Sequence, residues 1–230
     1  MSGVRRPRAR QTILRLSMRV WDAPTRLFHW AVVLLIACSY ASIYYDRLDL
    51  HFLSGYAMLA LLLFRLAWGF VGSETSRFSQ FVRSPIAGFR HLRQFTRREP
   101  DDQVGHNAAG GWMVLILLGD IALQVTLGLF SNDDLLNEGP LSHLVSKQLS
   151  NRLTIWHGWN FNVILGLITL HVVAILAYAL VKKHNLLRPM ITGRKRLPGA
   201  TRQPRMVSSM LALLLLTLSA CVVWVLTTRV

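Results

Sequence analysis

His157 and His171 stand fourteen residues apart in the stretch LTIWHGWNFNVILGLITLHVV, residues 153–173, which is otherwise almost wholly apolar. On an α-helix fourteen residues rise about 21 Å and turn about 1,400°, some 40° short of four full turns, so both imidazoles leave the same face. Polar groups at membrane depth face the interior of a bundle and mark a functional pathway. Two single imidazoles at that separation cannot share one ion, but each can ligate a haem of its own, and a six-coordinate haem needs a second axial ligand at the same depth. Alternating helix directions supply two such ligands: His51, in LHFLSGY, at the depth of His157, and His29, in RLFHW, at the depth of His171. The metal ligands expected are therefore His29, His51, His157 and His171, holding two stacked bis-histidine haems. Cys38 and Cys221 are the only cysteines and no Cys-x-x-Cys-His attachment exists, so any haem here would be held without thioether bonds.

Other polar groups in or beside the apolar segments complete the chemistry. Arg65, in LLFRLAWGF, presents a guanidinium fork that matches a haem propionate. His106, in GHNAAGGW, reads as a helix cap, a propionate partner or a proton donor. Asp120 lies in mid-segment without an obvious cationic neighbour, which suits a protonated carboxyl or a part in proton movement. Glycines 55, 110, 111, 128, 158 and 166 would let a flat porphyrin approach the backbone. His91, His143 and His184 fall among polar residues and read as solvated.

These residues need membrane-spanning helices to position them. The chain of 230 residues is 52% hydrophobic and 16% charged, with a mean hydropathy of +0.36, which excludes a soluble enzyme. Five stretches are long enough to cross the hydrocarbon core: 27–45, 52–72, 107–130, 155–181 and 206–228. The fold class expected is an all-α integral membrane protein, a four-helix transmembrane haem-binding bundle plus a fifth C-terminal transmembrane helix. Its expected divisions are a basic cytoplasmic arm at 1–26, the dihaem domain at 27–196, and a linker with the added helix at 197–230. Loop 131–154 shows a helical period at Leu141, Leu144, Val145 and Leu149, which predicts a short amphipathic helix in the outer interface.

A net charge of +15 would suggest nucleic acid in a soluble protein, but its placement argues for sidedness instead. Of the 26 basic residues, seven precede the first span, from Arg5, Arg6, Arg8 and Arg10 to Arg26. Six lie between Arg77 and Arg98, eight between Lys182 and Arg205, and only Arg47, Lys147, Arg152 and Arg229 on the other side. The positive-inside rule then predicts a cytoplasmic N-terminus and a periplasmic C-terminus in the bacterial inner membrane. The clusters also suit anionic lipid headgroups. The first span resembles a secretory signal, yet its cleavage would discard His29, so it is expected to be retained.

The stretches VWDAPTRLFHW, HFLSGYAMLALLLFRLAWGFVGSETSRF with FVRSP, GHNAAGGWM, WHGWNFNVILGLITLHVVAILAY and MITGRKR follow one another between Val20 and Arg196. In this order they resemble the prokaryotic cytochrome b561 family, which includes the b-type cytochrome subunits of nickel–iron hydrogenases. The resemblance implies a four-helix core with two b haems on His29, His51, His157 and His171, exchanging electrons between a quinone pool and a redox partner. The fifth span and Asp120 depart from the family pattern. The function expected is that of a membrane dihaem cytochrome, an electron-transfer subunit of a respiratory oxidoreductase. It would work between quinone and a periplasmic c-type cytochrome or metalloenzyme subunit, within membrane lipid, without nucleic acid, and with a homo-dimer left open. The acids Asp133, Asp134 and Glu138 would offer the periplasmic partner an edge. Two alternatives are a self-contained quinone oxidoreductase fed by a small diffusible donor and a haem-free proton-coupled transporter using Asp120, Arg65 and the histidines.

Overall fold

The computed structural model describes residues 14–94, 96–97, 100–134 and 137–229. The expected basic residues Arg5, Arg6, Arg8, Arg10 and Arg98 lie outside them. In chain order the regular elements are strand β1 (Arg15–Arg19), helices α1 (Ala23–Tyr44), α2 (Leu48–Val71), α3 (Phe78–Phe81), α4 (Pro85–Arg93), α5 (Ala108–Leu129), α6 (Lys147–Ala177) and α7 (Leu187–Thr192), strand β2 (Arg194–Pro198), and helix α8 (Ser209–Arg229). Among the described residues, five helices are long and apolar enough to cross a membrane: α1, α2, α5, α6 with its continuation to Lys182, and α8. The protein is thus all-α in its membrane part, with one two-stranded ribbon at an end of the bundle.

Local chemistry sets where the spans begin. Asp22 caps α1, its Oδ1 accepting the Thr25 N–H at 2.8 Å with Pro24 in the first turn. Asn107 caps α5 through Gly110 N at 2.7 Å, and Ser146 caps α6 through Leu149 N at 3.3 Å. The α1–α2 hairpin closes at Asp46, whose φ of +53° turns the chain so that Arg47 N reaches Ser42 O at 2.7 Å. Helix α2 packs on α1, α5 and α8, and α5 packs on α6. Val32, Met58, Leu62, Ile121 and Ile164, one or two from each of α1, α2, α5 and α6, form the buried centre of the four-helix bundle. Lipid is as apolar as these side chains, so their close fit, and not a transfer from water, holds the helices together. The fifth helix joins through Ala212 against Phe64 and Trp68 of α2.

The ribbon lies outside the bundle. β1 pairs antiparallel with β2, Ser17 opposite Arg196, over a small core of Met18, Val20, Trp21, Leu197 and Val104. Gly193, at φ +76°, ends α7 and turns its carbonyl to accept from Val20 N and Trp21 N at 2.8 and 3.1 Å. Residues 15–26 of the segment expected as an arm are therefore built into the fold. The ribbon end is called the strand end below, and the opposite one the distal end.

Loop 131–154 is corrected by the structure. It contains no separate interfacial helix among the described residues, only one 3-10 turn, Ser142–Leu144, and residues 147–154 are the opening turns of α6 itself. The Ser146 cap starts the helix early, and Asn132 binds it through Ser150, Asn151 and Thr154, so the apolar period at 141–149 is split between a turn and a span.

Candidate functional site

At the distal end the rings of His51 and His157 face each other with centroids 6.0 Å apart. His51 opens α2, and its Nδ1 lies 3.2 Å from the main-chain oxygen of Ser39 and 3.0 Å from its hydroxyl. His157 Nδ1 lies 2.9 Å from the main-chain oxygen of Gln124. A carbonyl oxygen only accepts, so each Nδ1 carries the proton and each Nε2 keeps a lone pair for an outside partner. In the structure the Gln124 amide stands 3.3 Å from His157 Nε2, itself held by Asn160 at 3.0 Å. Gly128 lies beneath the His157 ring, where a Cβ would come within 3.0 Å of Cε1.

At the strand end His29 of α1 faces His171 of α6, centroids 6.4 Å apart, and the Nδ1 of His29 is buried without a partner. Arg65 is 3% exposed, which no long cation tolerates in an apolar bundle without support. Its Nη2 donates to Ser76 O at 3.2 Å, its guanidinium lies over the Phe78 ring at 5.0 Å, and its Nη1 is buried and unpartnered. Asp22, 1% exposed, accepts from Trp68 Nε1 at 3.1 Å and Ser76 Oγ at 3.4 Å, tying the end of α2 and the following turn to the start of α1. His106 packs between Trp21 and Phe81 with Nδ1 buried and unpartnered. Burial, then the charge of Arg65, lowers its pKa to about 3, so the ring is neutral at physiological pH. The capping role open to His106 belongs to Asn107 instead.

The remaining polar residues take other places. The Asp120 main-chain oxygen accepts from Asn160 at 3.3 Å, and its Oδ2 is buried without a partner. His91 bonds the Tyr178 hydroxyl at 2.7 Å and His184 lies 3.8 Å from Asp101, so neither is simply solvated, whereas His143 is exposed. Asp133 is engaged by Asn137, Asp134 by Lys147 at 3.0 Å, and Glu138 by Ser142 at 3.1 Å, so the three distal acids serve their own loop.

The two pairs suit one iron each. Metal–imidazole bonds of about 2 Å on either side of an ion put the ligating nitrogens roughly 4 Å apart, a spacing with which ring centroids 6.0 and 6.4 Å apart are compatible. A Cβ added at Gly55, Gly158 or Gly166 would meet nothing within 4 Å, so α2 and α6 are open at these positions. The orphaned Nη1 of Arg65 supplies a donor suited to a propionate. A family model described as prokaryotic cytochrome b561 matches residues 20–193. The chain belongs to the prokaryotic cytochrome b561 family. The matched segment runs from the Val20–Gly193 bond of the ribbon through all four histidines, and it leaves α8 outside. No curated protein and no solved structure matches the chain. Members of the b561 family are membrane b-type cytochromes, so this chain binds haem b and transfers electrons, which sets aside the haem-free transporter.

The orienting groups of this b561 site escaped sequence reasoning. Ser39 and Gln124 act through main-chain oxygens, which leave no side-chain signature. The Asp22–Ala23–Pro24 step could have marked Asp22 as a helix cap, but nothing in the sequence joins it to Trp68 forty-six residues on.

Proposed function

We propose that this b561-family protein carries two haems b, one on His51 and His157 and one on His29 and His171, and moves electrons between a periplasmic redox protein and quinone. The support is that α6 contributes one imidazole to each of two facing pairs at opposite ends of the same bundle. Haem b bound at each pair supplies a one-electron iron centre, so the bundle serves electron transfer between its two ends.

The chain's own residues set the conditions. Ser39 and Gln124 fix the ring orientation of the distal pair. Arg65 Nη1 holds a propionate at the strand end and stabilises negative charge there. His106 Nδ1 offers a hydrogen bond to a quinone carbonyl beside that pair, from a ring that stays neutral at physiological pH. Burial at Trp68, Phe64 and Phe81 keeps bulk water from this end. Following the charge asymmetry, the strand end faces the cytoplasm of a bacterial inner membrane and the distal end the periplasm, where a c-type cytochrome or a metalloenzyme subunit docks.

A reduced-minus-oxidised optical spectrum with haem counted per chain tests the reading. Two low-spin b haems per chain are expected, and a ratio of one overturns it. A C-terminal fusion reporter active only in the cytoplasm would reverse the assigned sidedness without touching the haem count.

A further inference from the structure

Helix α4 has two faces that electron transfer does not use. Its first turn is fixed by Ser84, whose hydroxyl accepts from Ala87 N at 3.3 Å, with Pro85 following. Gly88 is buried against Trp112 in the opening turn of α5, where a Cβ would stand 3.2 Å from the indole, and Trp112 Nε1 donates to Arg83 O at 3.1 Å. The helix is thereby clamped beside the start of a membrane span, at the level where indoles mark the lipid–water boundary. Ile86, Phe89 and Leu92 project from one side and are 70%, 71% and 55% exposed. Spaced by three residues, they cover about 120° of the helix surface. A nine-residue helix that leaves three large apolar side chains uncovered beside a membrane bundle lies with that face in the lipid.

The neighbouring side of α4 borders a cavity of about 350 Å³ between this helix and residues 103–108. Arg83, Arg90, His91 and His106 line it with Gln80, Gln94 and Gln103, and among the described residues no Asp or Glu does. The described acids of the adjoining segment are engaged elsewhere: Asp101 pairs with Lys195, and Asp102 with Arg15. Among the described residues neither Arg83 nor Arg90 makes an ion pair. Two guanidiniums with no acidic partner among the described residues, at the rim of a donor-rich cavity and next to an exposed apolar face, match an amphiphile with an anionic head.

We propose that this cavity binds the phosphate headgroup of an anionic phospholipid, held by Arg83 and Arg90, with the acyl chains running along Ile86, Phe89 and Leu92 into the membrane. None of the four paired histidines contributes to the site, so it does not depend on the haem assignment, but His106, proposed above to meet a quinone carbonyl, lies on its wall.

Native mass spectrometry of the full-length, haem-loaded protein, delipidated and titrated with phosphatidylglycerol or phosphatidylcholine, provides the test. Selective retention of phosphatidylglycerol is expected. Replacing Arg83→Gln and Arg90→Gln together should weaken it roughly thirtyfold, two phosphate contacts being lost, with phosphatidylcholine binding and the haem spectrum unchanged. A control pair, Arg188→Gln with Arg196→Gln, removes the same charge outside the cavity and should leave retention intact. Equal loss in the control would mean general charge attraction and overturn the site. Displacement of the lipid by inorganic phosphate at equal concentration would show that the chains contribute nothing, and displacement by a quinone analogue would give the cavity to quinone; either result also refutes the proposal. An Ile86→Ser, Phe89→Ser variant that keeps its haem but binds the lipid as tightly as the parent would remove the apolar face from it.

Discussion

His157 Nδ1 stands 2.9 Å from the main-chain oxygen of Gln124, and His51 Nδ1 stands 3.2 Å from that of Ser39. The donors are side chains on α6 and α2, while the acceptors belong to the backbones of α5 and α1. The distal pair is therefore oriented by all four bundle helices at once, and its two main-chain acceptors are groups that no side-chain substitution removes. A site oriented in this way should fail by loss of a ligand more readily than by loss of a neighbour. Replacing His51 or His157 by Ala is expected to lower the haem count from two to one per chain, with the strand-end haem still reducible. Replacing His29 or His171 should remove the other. Haem-to-protein ratio and the resolved α-bands measure both, and a His51 variant that lost the haem dependent on His171 would show the pairs to be wrongly assigned.

Space is as diagnostic as ligands. Gly55 lies one turn beyond His51, and a Cβ there would meet no atom within 4 Å, whereas one at Gly128 would come within 3.0 Å of the His157 ring. Gly55→Leu should fill the opening that a porphyrin edge requires, and Gly128→Ala should tilt the ring. Both are expected to reduce distal haem occupancy by half or more while far-UV circular dichroism stays at the parental value. Full haem content in Gly55→Leu would mean that the open space faces lipid instead.

The spans and the facing histidines were legible because they depend on helix period and depth, both of which the sequence carries directly. His157 and His171 had to share a face, and helix direction alone brought His51 and His29 to them. The ribbon was not legible: its strands, Arg15–Arg19 and Arg194–Pro198, are rich in arginine and far apart in the chain, so the first read as part of a basic arm and the second straddled the expected boundary between the dihaem domain and the linker. The start of α6 was misread for a different reason. The apolar spacing at 141–149 fits a helix on the membrane surface as well as the opening of a span, and only the hydrogen bonds of Asn132 to the first turns decide between them. Asp22 stayed hidden because its partners Trp68 and Ser76 come together only in the fold.

His106 gives a pH dependence with a definite sign. Its pKa falls from the ordinary 6.5 to about 3 in the fold, mainly through burial. Between these values an unfolded chain binds a proton that the folded one refuses, so stability contributed at neutral pH is lost as pH falls below about 6.5 and is unaffected above it. The parent should show a lower melting temperature at pH 5 than at pH 7.5, and His106→Asn should show a smaller drop over the same interval. An identical drop in the variant would place the acid sensitivity elsewhere.

Arg65 permits a prediction in the currency of the function. Its Nη1 is buried and unpartnered while Nη2 is held by Ser76 O, so the guanidinium is anchored at one corner and offers the other to an anion. A fixed positive charge beside a haem favours the reduced form, which carries one more electron, and does so strongly where water is excluded. Arg65→Gln should therefore lower the midpoint potential of the strand-end haem. The expected drop is roughly 40–90 mV, the one-electron equivalent of about 1–2 kcal/mol, and the distal haem should move far less because it lies at the other end of α6. Redox titration in detergent, followed at the separate α-bands, reads both. Equal shifts at the two haems would indicate a general loosening of the bundle, and a shift confined to the distal haem would reverse the assignment of Arg65 to the strand-end pair. Arg65→Lys separates charge from geometry: it keeps the cation and loses the fork, so the potential should stay near the parent's if charge is what matters, and fall toward that of the Gln variant if the paired hydrogen bonds hold the propionate in place.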